Sequence, residues 1–130
     1  MKKITEWRIL TVVIAIMIFY ISSLIRIPGP FVFTMSSIYY HFGIFFIFQW
    51  SLIESLGEKI KSEKHLLYVI AFAILYGISD ELHQLFVPGR LCTLSDVGIN
   101  TVGIISATVI YIIYKMCTSY KHISEPGGWD

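Results

Sequence analysis

Four long apolar stretches, separated by short polar breaks, constrain this chain more than any other feature. They run from about residue 9 to 25, 38 to 56, 66 to 87 and 97 to 117. A helix rises about 1.5 Å per residue, so crossing about 30 Å of hydrocarbon takes roughly 17–25 residues, the length of each stretch. Composition points the same way. Of the 130 residues, 55% are hydrophobic and 15% charged, whereas an average soluble domain carries roughly 25% charged residues. Mean hydropathy is +0.70. Too few charges remain to clothe a water-facing surface, so lipid is the solvent that fits. A net charge of +1 gives no reason to expect a nucleic-acid partner. Phosphate loops and dinucleotide fingerprints are absent from the sequence.

The breaks set the expected topology. Lys2, Lys3 and Arg8 precede the first stretch in the manner of a signal peptide. Its apolar run is longer than a typical signal core, however, and no small-residue cleavage site follows, so a retained helix is expected. Ile27-Pro28-Gly29-Pro30 breaks the chain after it. Gly57 to Lys64 forms a charged connection. Pro88-Gly89 stops the third helix, and Ser95 suits the N-cap of the fourth. The third stretch is interrupted by Asp80 and Glu81, yet a helix starting near His65 must run past them to cross. Short connections imply antiparallel neighbours. The expected fold is therefore all-α, an integral membrane, antiparallel four-transmembrane-helix bundle. It forms a single domain over residues 1–130, with residues 119–130 a mobile cytoplasmic tail.

Lysine and arginine placement orients such a bundle. With four spans, Lys2, Lys3, Arg8, Lys59, Lys61, Lys64, Lys115 and Lys121 fall on one side, and only Arg26 and Arg90 on the other. A multi-pass protein of the plasma membrane with both termini cytoplasmic is expected. Trp7, Trp50, Tyr68 and Tyr114 would then stand in the inner aromatic belt. Cys92 and Cys117 would sit at opposite membrane faces, on the order of 30 Å apart, whereas a disulfide needs Cα atoms within about 7 Å.

This orientation gathers the unusual polar residues at the outer face. The first helix ends there with Ser22, Ser23 and Arg26, and the second enters with Tyr40 and His41. The third ends with Asp80, Glu81, His83, Gln84 and Arg90, and the fourth begins with Ser95, Asp96 and Asn100. Asp80 and Gln84, four apart, share a helix face, and Glu81 lies about 100° round from Asp80. Asp96 and Asn100 share another face, which Gly103 and Ala107 continue as small residues suited to close helix packing. Ionisable groups within membrane segments are costly, so such a cluster marks a candidate site.

Several chemistries fit this inventory. Asp80, Glu81 and His83 are candidate general acids or bases. Gln84, Arg90, Asp96, Asn100, His41, Ser22 and Ser23 are candidate ligand-binding residues, with Arg90 suited to capture of a phosphate or carboxylate. Structural readings stand beside these. Asp80 or Glu81 paired with Arg90 would pin a helix end, Ser22 and Ser23 would bond back to helix carbonyls, and Arg26 would snorkel. His41, His83, Asp80, Glu81 and Asp96 offer metal donors, but no H-E-x-x-H spacing occurs. Neither a metal nor another cofactor is expected. The Tyr and Phe stripe of the second helix reads as lipid-facing or packing surface.

The string Ser79-Asp80-Glu81-Leu82-His83-Gln84-Leu85-Phe86-Val87-Pro88-Gly89-Arg90, followed by Ser95-Asp96-Val97 and Asn100-Thr101-Val102-Gly103, resembles the VanZ-like membrane protein family. Phe19-Tyr20-Ile21-Ser22-Ser23 is similar to that family's first-helix serine pair. Tyr40-His41-Phe42-Gly43 is similar to its second-helix histidine motif, without the lysine often found before the histidine. The resemblance spans about residues 9 to 115. It implies a bacterial cell-envelope protein and puts Asp80, Glu81, Gln84, Arg90, Asp96 and Asn100 first among functional positions. Ser22, Ser23 and His41 stand behind them. It also associates such a chain with teicoplanin-type glycopeptide tolerance. The expected function is an outer-face pocket that binds or modifies a cell-wall or lipid-linked anionic ligand. The alternatives are a small intramembrane hydrolase or transferase using Asp80, Glu81 or His83, and a non-catalytic scaffold. Membrane lipids and a cell-wall precursor or lipid-linked anion are the expected partners; oligomeric state is left open.

Overall fold

The computed structural model describes residues 2–24, 32–60, 62–90 and 92–124. Its regular structure among these residues is helical: α1 (Lys2–Ser22), α2 (Val32–Leu56), α3 (Glu63–Gln84) and α4 (Leu94–Ser124), with a 3₁₀ turn at Gly57–Lys59. Arg26, the Pro28-Gly29-Pro30 break and residues 125–130 lie outside the described residues.

Helix ends differ from the sequence reading for local reasons. Thr93, not Ser95, caps α4: its hydroxyl accepts the Asp96 backbone N–H at 3.1 Å, satisfying one orphan donor of the first turn. Ser95 falls inside that turn. At the other end α4 continues to Ser124, so the stretch expected to be tail from Ser119 is still helix for its first residues. α3 stops at Gln84, and residues 85–89 turn away. Gly89 completes that turn at φ +79°, a conformation open to glycine and strained for other residues.

α1, α3 and α4 are long and apolar enough to cross a membrane, over Lys3–Ser22, Glu63–Gln84 and Leu94–Tyr120. They turn their large apolar side chains outward: Ile9, Ile16 and Phe19 on α1, Phe72 and Leu75 on α3, and Val102, Ile105 and Ile113 on α4 are exposed. α2 packs against the other three helices, most extensively against α4, and α3 also meets all three. α2 buries Ser37, His41, Gln49, Ser51 and Ser55, and α3 buries Asp80, Glu81 and Gln84.

An apolar core joins the four helices. Ile14 and Ile18 of α1 meet Phe45 and Phe48 of α2, Ala73 of α3 and Ile104 of α4. A second cluster holds Ile53, Val69 and Tyr111. The aromatic stripe of α2 therefore divides, with Phe45 and Phe48 buried while Tyr39 and Phe42 are exposed. Two side-chain bonds link α2 to α4, His41 to Asn100 and Gln49 to Thr108, and both span 59 residues of sequence. A constant offset means that α2 and α4 run in the same direction. α1 and α3 do likewise, since Tyr76–Ala15 and Ser23–His83 are 61 and 60 residues apart.

Arginines clasp two helix ends. Arg8 donates to the Ser55 carbonyl of α2 at 3.2 Å. Arg90 donates to the Ile21 and Leu24 carbonyls at 2.6 and 3.3 Å, where α1 ends. Both put positive charge at the negative end of a helix. Near the Lys115 end of the bundle, Trp50 packs on Tyr111 and Tyr114, with the Lys115 amine over the Tyr111 ring.

Close approach of α2 and α4 depends on Gly103. A Cβ there would lie 2.5 Å from the Phe42 carbonyl oxygen, whereas one at Gly43 would meet nothing within 4 Å. Gly103→Ala should destabilise the protein by about 1–3 kcal/mol, an overpacking penalty. Gly43→Ala should be neutral or stabilising by up to about 1 kcal/mol through helix propensity. Thermal unfolding in mild detergent checks both.

Candidate functional site

The third helix supplies the centre. Asp80, Glu81 and Gln84 lie one helical turn apart at its C-terminal end, and all three are buried. The Gln84 amide donates to Asp80 Oδ2 at 3.1 Å and to Glu81 Oε1 at 3.2 Å. One amide thus holds two neighbouring carboxylates, as their i, i+3 and i, i+4 spacing permits. Glu81 is only 1% exposed.

The second and fourth helices complete the cluster. His41 Nδ1 lies 3.7 Å from Glu81 Oε1 and 3.1 Å from Asn100 Oδ1. Asp96, in the first turn of α4, is half-buried beside them. One donor atom each from His41, Glu81 and Asp96 lies within 4.8 Å of the others. Asp80 and Asp96 both act electrostatically on Glu81. Three polar atoms here, Asp80 Oδ1, Glu81 Oε2 and Asn100 Nδ2, are buried and have no hydrogen-bond partner among the described residues. Most buried polar groups in folded proteins are paired, so three orphans in one cluster call for an explanation.

The first helix and the turn after α3 form a rim. Ser22 is buried, donates to the Phe19 carbonyl at 2.9 Å and lies next to Asp80. Ser23 Oγ lies 2.7 Å from the same carbonyl and 2.9 Å from His83 Nε2. The His83 ring stacks on Phe19 with centroids 4.2 Å apart. Arg90 donates to Gln84 Oε1 at 3.4 Å as well as to the α1 carbonyls. It also acts on Asp80 through its field. The Glu81 carboxylate lies 3.7 Å from His41 Nδ1.

Beside this rim runs an apolar groove between α1 and α3, of about 420 Å³, lined by Ala15, Ile16, Phe19, Tyr20, Ser23 and Tyr76. Its walls are hydrocarbon and aromatic faces. Ser23 is common to the groove and to the Ser23–His83 pair.

The residues singled out in the sequence therefore fall into two adjoining sets. His41, Asp80, Glu81, Gln84, Asp96 and Asn100 form the buried cluster. Ser23, His83 and Arg90 form the rim, with Ser22 between. The sequence reading missed the Gln49–Thr108 bond at 3.0 Å and the Tyr76 hydroxyl bonded to the Ala15 carbonyl at 2.7 Å. For the first a signal existed. Gln49 is eight residues beyond His41, and Thr108 eight beyond Asn100, so each lies two turns along the same face.

An all-helical membrane protein with acids, an imidazole and amides enclosed at one end is the class that fold and site define. The chain belongs to the VanZ/LLP1 family, whose pattern residues 7–115 match. Membership makes it a membrane protein of the cell envelope. Searches among curated proteins and among solved structures find no match to the chain.

Proposed function

We propose that all four helices cross the membrane as an antiparallel bundle with both termini cytoplasmic. The constant register offsets of α2 with α4 and of α1 with α3 support this arrangement. So does the length of α2, whose 25 residues reach about 37 Å at about 1.5 Å each. The lysine-rich ends then face the cytoplasm and the Glu81 cluster faces outward. Cys92 and Cys117 provide a direct check, being free thiols, one half-buried and one exposed. In intact cells a membrane-impermeant maleimide should label Cys92 and spare Cys117 until the cells are permeabilised.

The function that this geometry supports best is binding of a lipid-linked or cell-wall anionic ligand at the outer face. The carrying observation is the apolar groove whose end holds Ser23, next to His83 and the α1 carbonyls that Arg90 clasps. An apolar chain fits such a groove, and an anionic head at its end would lie near the Arg90 charge. Glycopeptide tolerance is the phenotype such a site would give.

Hydrolysis by a Ser23–His83 pair is less well supported. The serine has one hydroxyl proton, and the Phe19 carbonyl at 2.7 Å claims it. His83 Nε2 is then the donor to Ser23, the reverse of what nucleophile activation needs. Binding is preferred on that ground.

Expression of the wild-type chain in a susceptible Gram-positive host should raise teicoplanin tolerance a few-fold. Glu81→Gln and Arg90→Ala, at equal membrane expression, should not. Glu81→Gln keeps shape and removes charge. If the cluster were only structural glue, this variant would lose expression or thermal stability instead.

A further inference from the structure

The buried cluster brings three carboxyl groups, those of Asp80, Glu81 and Asp96, to one place. Asp80 and Asp96 both act on Glu81, and the positive or protonatable groups facing the acids are His41, Arg90, Tyr40 and Tyr76. Arg90 is engaged with the α1 carbonyls and Gln84. Glu81 Oε2 and Asp80 Oδ1 are buried and make no hydrogen bond of ordinary geometry among the described residues, although the Thr93 backbone N–H faces the Glu81 carboxylate and the Ser22 hydroxyl that of Asp80.

We propose that His41, Glu81, Asp96 and Asn100 form a binding site for one divalent transition-metal ion, drawn together from α2, α3 and α4. With metal bonds of about 2.0–2.2 Å, neighbouring ligand atoms lie roughly 3.0–3.5 Å apart. His41 Nδ1 is already 3.1 Å from Asn100 Oδ1 and 3.7 Å from Glu81 Oε1, and one donor atom from each of His41, Glu81 and Asp96 lies within 4.8 Å of the others. With its hydrogen on Nδ1, the His41 ring points an N–H between two oxygens. With its hydrogen on Nε2, the Nδ1 lone pair and those oxygens share a centre fit for a cation. Gln84 holds the Glu81 carboxylate in place, as partners behind metal ligands do.

The donor set narrows the ion. One imidazole nitrogen with carboxylate and amide oxygens, and no thiolate, suits zinc or manganese. Calcium and magnesium favour all-oxygen sites. The inference rests on the anionic-ligand reading and deepens it: a bound ion supplies the positive charge that draws an anionic oxygen to the carboxyl cluster.

The test uses full-length protein in mild detergent, stripped with chelator and titrated with Co²⁺, whose visible absorption reports nitrogen and oxygen ligation. One Co²⁺ per chain, displaced by Zn²⁺, is expected. Affinity should fall at least about tenfold in Glu81→Gln and in Asp96→Asn. Asp96 is half-buried, so its variant serves if Glu81→Gln fails to fold by circular dichroism. No uptake by folded wild type at millimolar Co²⁺, or equal uptake by the folded variants, overturns the site. Co-purified lipid is read by mass spectrometry on the same samples. Anionic lipid retained without Co²⁺ uptake overturns the metal and leaves the ligand reading standing. Co²⁺ uptake with no anionic lipid retained supports the metal and contradicts the ligand reading.

Discussion

A carboxylate at the end of a membrane helix has to find polar partners within the protein, and in this chain that demand falls on Glu81. It takes Gln84 from its own helix and His41 from α2, and His41 in turn reaches Asn100 of α4. Arg90 ties the same Gln84 to the last carbonyls of α1. Four helices are thereby referred to one side chain. The rest of the architecture accommodates it: Gly103 lets α2 and α4 come close, and Phe45, Phe48 and Ile104 fill the space below.

Magnitudes argue against the network existing only to hold the bundle together. An acid at the bilayer centre costs about 3 kcal/mol, less toward the interface. An interhelical hydrogen bond in a membrane returns about 0.6 kcal/mol on average. Three acids at one end, with buried oxygens left over, are thus poor glue. The Gln49–Thr108 bond is what inexpensive glue looks like, neutral on both sides and located deeper in the bundle. The acids make physical sense when a cation and an anionic head group complete the site.

Much of this was legible in the sequence because lipid imposes simple rules. The four apolar stretches gave the helices, and the convergence of polar residues gave the cluster. The i, i+4 pairs of Asp80 with Gln84 and Asp96 with Asn100 placed those residues on shared faces. Other features depend on contacts between helices, which no local pattern encodes. That His41, Glu81 and Asp96 converge at one end is legible from orientation, but which of the five candidate donors face one another depends on contacts between helices. The separation of Ser23 and His83 into a rim was hidden too, since helical angle alone does not tell which neighbour a face meets. Thr93 rather than Ser95 caps α4 because both satisfy the composition rule, and only the chain's path after Gly89 selects one. The aromatic stripe of α2 reads as either lipid-facing or packing surface, and it serves as both: Phe45 and Phe48 pack in the core while Tyr39 is exposed.

The central claim is that the Glu81 cluster and its rim make a ligand site rather than a brace. Native mass spectrometry of wild type and Glu81→Gln, each released from Gram-positive membranes in mild detergent, tests it most directly. The account predicts an anionic lipid bound to wild type and missing from a folded Glu81→Gln of unchanged melting temperature. Identical lipid occupancy in the two proteins would contradict it, as would loss of fold in the variant with no lipid on the wild type.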